Sequence, residues 1–121
     1  MKPFLEQLAE APLIYDGGFG TELFARGIEL PNSAMANQYH PDIVVDVHKS
    51  YIDVGAQMIH TNTFVASPLH LEMADPDADT AQIARLAAAL ARRAVEESGQ
   101  DVYVAGSLGP SPGAIEFDAG D

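Results

Sequence analysis

Three short apolar runs, at residues 13–15, 57–60 and 101–105, each lead straight into a polar or glycine-rich turn, and helical periodicity fills both intervals between them. Few folds accept that alternation. Strand, helix, strand, helix, strand predicts right-handed crossovers and a parallel sheet, an α/β architecture whose closed form is a (β/α)8 TIM barrel and whose open form is a doubly wound sheet. Three strands cannot close a barrel, and a complete one takes about 250 residues. The chain has 121 residues, and its last stretch, Phe117-Asp118-Ala119-Gly120-Asp121, carries no signal of a structural ending. Residues 1–121 are therefore expected to be the N-terminal three βα units of a barrel domain whose remainder is absent.

Local signals fill in the units. Pro3 opens a short leading helix through Ala9, with Phe4, Leu5 and Leu8 on one side, expected to cap some part of the fold. Leu13-Ile14-Tyr15 runs into Asp16-Gly17-Gly18-Phe19-Gly20-Thr21, and Thr21 is expected to cap a short helix through Arg26 that Gly27 stops. After an irregular stretch with Pro31, Asn32, Ser33 and Asn37, Pro41 stands at a first-turn position. Ile43, Val47, Tyr51 and Val54 then recur at helical spacing up to Gly55, predicting one buried face. Ser67-Pro68 opens another short helix, and Asp79 with Gln82 resembles the capping box of a long one through Ser98, closed by Gly99, with Ile83, Leu86, Leu90 and Ala94 facing the core.

Composition narrows the function classes. Hydrophobic residues make up 47% of the chain, enough for a globular core. A net charge of -12, from 18 acidic and 6 basic side chains, repels nucleic acid and anionic membranes, which leaves a small molecule as the expected ligand. The N-terminus lacks the apolar stretch of a signal peptide, and no run is long enough to span a membrane, so a cytoplasmic protein is expected. The absence of cysteine removes disulfides, thiolate metal sites and nucleophilic thiols from this stretch.

In a parallel barrel the chemistry sits at the C-terminal ends of the strands. All three ends here join small residues, which let a ligand approach the backbone, to polar ones: Asp16 and Thr21, then Asn62 and Thr63, then Ser107. Asp16 suits a ligand ammonium group through charge-assisted hydrogen bonds, or it satisfies the N–H groups of its own glycine turn. Gly17, Gly18 and Gly20 resemble a phosphate cradle, yet neither the dinucleotide fingerprint nor the P-loop lysine accompanies them. His60 is read as a hydrogen-bonded packing residue rather than a base or ligand. His40, His48 and His70 show no metal-ligand spacing, and Asp75, Asp77 and Asp79 lack the glycine and distal glutamate of a calcium loop, so a solvated turn and helix cap is expected there.

Three segments together, DGGFGTEL at residues 16–23, HPDIVVDVHKSYIDVGAQMIHTNTF at 40–64 and VAGSLGP at 104–110, resemble the homocysteine S-methyltransferase family. That family includes the betaine-homocysteine methyltransferases and the homocysteine-binding module of cobalamin-dependent methionine synthase. The resemblance implies a (β/α)8 barrel that binds homocysteine and zinc, in which the metal lowers the thiol pKa from about 8.5 so that a thiolate attacks an activated methyl group. It further implies that Asp16 holds the homocysteine amino group, that Gly17 and Gly18 admit the ligand, and that Thr61, Thr63 and Phe64 line the pocket. The family's zinc ligands are cysteines on late barrel strands without counterpart here, so the metal is expected in the complete protein and this chain by itself is expected to be inactive, with no residue of its own assigned as catalytic.

His60 stands where several relatives carry an acidic or amide residue, and Val65 where betaine-dependent members carry an aromatic. The methyl donor stays open among S-methylmethionine, S-adenosylmethionine, betaine, a methylcorrinoid and methyltetrahydrofolate, and a homo-oligomer is compatible with the reading. Two rivals stand beside it. One is a non-catalytic α/β binding or assembly module derived from the barrel, whose exposed sheet edges a partner chain completes. The other is an unrelated open α/β protein that binds a phosphorylated ligand at residues 17–20.

Overall fold

The computed structural model describes residues 1–110; the terminal stretch at residues 117–121 lies outside them. Two strands, β1 (Met58–His60) and β2 (Tyr103–Ala105), pair in parallel with Met58 opposite Tyr103, Ile59 opposite Val104 and His60 opposite Ala105. Parallel neighbours need a long crossover, and α5 (Pro68–Ala74) and α6 (Thr80–Ser98) provide it. The first apolar run contributes less than a full strand. It makes one parallel bridge, Tyr15 to Met58, supported by hydrogen bonds from Met58 N–H to the Ile14 carbonyl and from Asp16 N–H to the Met58 carbonyl. β1 is thus the central member, and Ile59, wholly buried, anchors it at about 2 kcal/mol for a side chain of that size.

Helix α4 (Pro41–Asp53) lies against α6 and β1, with Pro41 in its first turn as its spacing predicts. Its buried arc differs from the expected one: Val44, Val45, Val47, His48 and Ile52 are inside, whereas Ile43 and Tyr51 are half-buried and Val54 is 83% exposed. Contact with both α6 and the sheet buries a wider arc than one stripe, and Val54 already belongs to the helix cap. The main core joins this arc to Phe19, Leu23, Ile59, Leu90, Ala91, Ala94 and Val102. On α6, Ile83, Leu90 and Ala94 are buried as expected, joined by Ala87 and Ala91, while Leu86 is half-buried.

Side-chain caps and glycines close several of the helix ends. Asp79 accepts the Gln82 N–H at 3.1 Å and Ser67 accepts the His70 N–H at 3.1 Å, each satisfying a free donor of the first turn. Gly27, Gly55 and Gly99 follow α2 (Gly20–Ala25), α4 and α6 with φ of 83°, 110° and 67°, left-handed values that end a helix at little cost only in glycine. Thr21 does not cap α2. It sits inside the first turn, Phe19 takes the cap position, and no side chain closes that end. The stretch expected to be irregular folds into a 3-10 turn, Ser33–Met35, and a short helix α3, Ala36–Tyr39, started by Asn32 accepting the Ala34 N–H.

The leading helix α1 (Phe4–Glu10) buries none of its residues. It lies beside the start of β2, where Phe4 packs edge-on against Tyr103 with ring centroids 5.7 Å apart and the Tyr103 hydroxyl donates to the Lys2 carbonyl. That is the end of the sheet opposite the glycine-rich turns. Among the described residues, no helix is long and apolar enough to cross a membrane.

Candidate functional site

The C-terminal ends of the Tyr15 segment and β1 open onto a cleft of about 460 Å³ lined by Asp16, Gly17, Gly18, Phe19, Gly20, Ser33, His60, Asn62 and Phe64. Parallel pairing carries residues distant in sequence to one rim, so the cleft follows from the strand order. Five of the residues expected to bind the substrate meet there: Asp16, Gly17, Gly18, Asn62 and Phe64. Thr61, Thr63 and Ser107 line a separate hollow of about 280 Å³ facing Ala84 and Ala88 of α6. Thr21 is exposed on α2, outside the cleft lining.

Asp16 and His60 form the polar centre of the cleft. The Asp16 side chain is fully shielded, with one oxygen 2.5 Å from His60 Nδ1 and the other accepting the His60 backbone N–H at 3.1 Å. An ionised carboxylate only accepts hydrogen bonds, so Nδ1 carries the shared proton and the tautomer is fixed. Of the two roles expected of Asp16, the turn role is taken over by His60. The His60 ring stacks on Tyr15 at 5.6 Å with planes 16° apart.

Helix α4 supports the glycine turn from below. The Tyr51 hydroxyl donates to the Gly18 carbonyl at 2.5 Å, and a Cβ on Gly17 would stand 3.0 Å from that hydroxyl oxygen. Burial, with the Glu22 and Asp16 charges beyond it, raises the Tyr51 pKa, against a smaller lowering by Arg26. One turn earlier His48 packs under Phe19 with centroids 4.9 Å apart, and neither ring nitrogen has a partner among the described residues. Burial lowers its pKa from 6.5 to about 4 despite the opposing pull of Asp16, and His60 lowers it further. His48 is therefore neutral at physiological pH.

The threonines of the TNTF segment tie loops together. Thr61 and Thr63 hydroxyls lie 2.7 Å apart, Thr63 donates to the Ser107 carbonyl at 2.7 Å, and Ser107 N–H donates to Thr61 at 3.2 Å. Asn62 donates to the Ser33 carbonyl at 2.9 Å, and its own carbonyl accepts from buried Asn37 at 2.8 Å. Asn32 completes the join by donating to the Val65 carbonyl at 2.8 Å. Sequence reasoning assigned His60 to packing and passed over Ser33, whose only signal is the asparagine before it.

Among the described residues no three histidine, cysteine, aspartate or glutamate side chains are grouped to hold a metal ion. The chain also lacks cysteine throughout, so its described residues do not fit a metal centre on their own.

Comparison with known proteins matches residues 13–118 to the family model for homocysteine S-methyltransferase. The methionine synthase of Mycobacterium tuberculosis (strain ATCC 25618 / H37Rv) is 32% identical, over 88% of this chain and 10% of its own length. That of Mycobacterium leprae (strain TN) is likewise 32% identical over 88% of this chain and 10% of its length. Among solved structures, the homocysteine methyltransferase MmuM from Escherichia coli in its metallated form superposes with a TM-score of 0.73 and 33% identity, covering 97% of this chain and 44% of that one. Its apo form gives 0.61 and 32%, covering 86% and 39%. The chain thus spans about a tenth of the curated relatives and under half of the structural ones. With three motif-bearing strand ends in order and a family match over nearly its whole length, the chain belongs to the homocysteine S-methyltransferase family.

Proposed function

We propose that this chain forms the first three βα units of a (β/α)8 barrel, and that the complete protein transfers a methyl group to the zinc-activated thiol of homocysteine to give methionine. The observation that carries the reading is the cleft where the Asp16–Gly20 turn, His60 and Asn62 meet beside an adjoining parallel strand. In that cleft the chain supplies recognition: the Asp16–His60 pair offers a polar anchor for the amino group, while Gly17 and Gly18 leave room for the ligand at the backbone. Thr61, Thr63 and Ser107 shape the neighbouring rim, and Phe64 borders the substrate. Zinc belongs to the complete protein, with cysteine ligands outside this chain, and no metal-dependent step is assigned to the residues described here. The protein acts in the cytoplasm on small molecules, without nucleic acid or membrane partners, and this chain alone lacks the activity.

The test begins with the intact mass of the gene product from its source, followed by assay of that polypeptide with L-homocysteine and each of the five donor types in turn. Methionine formation with any donor, abolished by a chelator, is the expected result. Failure with every donor, together with no binding of L-homocysteine, overturns the reading. A mass near the 12.9 kDa of this chain instead favours a module completed by a partner, for which the exposed Ile14 and Tyr15 at the sheet edge speak.

A further inference from the structure

The aspartate that leads the glycine turn borders the cleft, but its carboxylate is covered. Its side chain has no exposed surface, and each carboxylate oxygen is already engaged by His60, one through the ring and one through the backbone. The His60 side chain keeps 18% of its surface exposed and lines the cleft. Because Nδ1 donates to Asp16, the neutral ring keeps a lone pair on Nε2, at the far side of the ring from Asp16.

We propose that His60 Nε2 accepts a hydrogen bond from the amino group of the amino-acid substrate, and that Asp16 acts behind it as a positioning residue that fixes the tautomer. This rests on the homocysteine reading above and changes which residue meets the ligand. A carboxylate held behind an imidazole polarises the ring toward a bound ammonium group, a relay through two hydrogen bonds. The contact involves no bond breaking: the ammonium keeps its proton and shares it with Nε2.

The surroundings of His60 make its contribution separable. Asp16 and Tyr15 face it from the first segment, and on α4 His48 feels the charges of both Asp16 and His60 while Tyr51 feels that of Asp16; its partner on β2 is Ala105, which does not ionise. His48 titrates near 4, and the Tyr51 pKa is raised, so neither changes charge between mildly acidic and neutral pH.

The experiment is isothermal titration of the complete polypeptide with L-homocysteine and with 4-mercaptobutanoate, which has the same thiol and carboxylate but no amino group. His60→Asn retains an amide donor near the Nδ1 position and loses the acceptor at Nε2; His60→Gln carries an acceptor out to that position. The expected result is a roughly 10- to 100-fold loss of L-homocysteine affinity in His60→Asn, a smaller loss in His60→Gln, and no change for 4-mercaptobutanoate in either. Asp16→Asn added to His60→Asn should cost nothing further. Unchanged L-homocysteine affinity in His60→Asn overturns the inference and returns the contact to Asp16. Equal loss for both ligands also overturns it, by making His60 a packing residue. Binding of neither ligand by the wild type overturns the homocysteine reading, and the inference with it. Thermal melts establish which variants fold, and if His60→Asn does not, the two-ligand comparison in His60→Gln decides.

Discussion

The Cβ that Gly109 lacks would lie 2.1 Å from the carbonyl oxygen of Phe64, and the backbones of the second and third strand ends touch at that point. No side chain fits there without moving main chain. Gly109→Ala is expected to destabilise the fold by at least about 2 kcal/mol, read as a lowered unfolding midpoint in urea, and to separate the loop after β1 from the loop after β2. A midpoint equal to that of the wild type would show the two backbones to be further apart than described.

His48 makes stability depend on pH. Its folded-state pKa of about 4 lies below the ordinary 6.5, so the unfolded chain binds a proton that the folded one refuses. The associated stability is fully present above about pH 6.5 and is lost as pH falls towards 4, on the order of 3 kcal/mol in all. Carboxylates titrate in the lower part of the same range, so the relevant quantity is the difference between wild type and His48→Phe. The variant, which fills the space under Phe19 without an ionisable ring, is expected to have the shallower slope between pH 7 and pH 5 in urea denaturation.

Tyr51→Phe removes the donor to the Gly18 carbonyl and leaves the ring in place. A loss of about 1 kcal/mol in folding stability is expected, with weaker L-homocysteine binding by the complete protein because the glycine turn is no longer held from below. Thermal unfolding and calorimetry measure the two effects separately. Unaltered values in both would mean that the turn keeps its shape without α4.

Asp79→Ala strips the N-cap of α6, the helix that packs along α4. The cost should be about 1 kcal/mol, seen in the thermal midpoint, whereas Asp79→Ser should recover most of it. Asp77, whose backbone N–H donates to Asp75 in the same turn, caps no helix, and Asp77→Ala should leave the midpoint nearly unmoved.

Much of this molecule is legible in its sequence where one local rule acts alone. Pro41, Ser67, Asp79 and Gly99 mark helix ends through the geometry of a single turn, and each stands where those rules put it. The ends of β1 and β2 are equally plain, since their apolar runs stop at threonine and glycine. Errors arise where tertiary contact decides. Thr21 is a good cap by type, but the turn held by Tyr51 starts α2 two residues sooner, leaving it in the first turn. Residues 33–39 look irregular because their helical turns depend on Asn32, Asn37 and Asn62 bonding across loops 25 to 33 residues apart. The partner of His60 was hidden for the same reason: nothing within its own segment reveals that Asp16, 44 residues earlier, turns both oxygens towards it.

The polar ties between successive strand ends share one interval. Asp16 reaches His60 across 44 residues, and Thr63 reaches Ser107 across 44 again. Each tie joins a strand end only to the next one made, so a chain emerging from the ribosome can fasten every new unit to the last without waiting for distant segments. Assembly can proceed in the order of synthesis, with the ligand-facing rim drawn together one knot at a time.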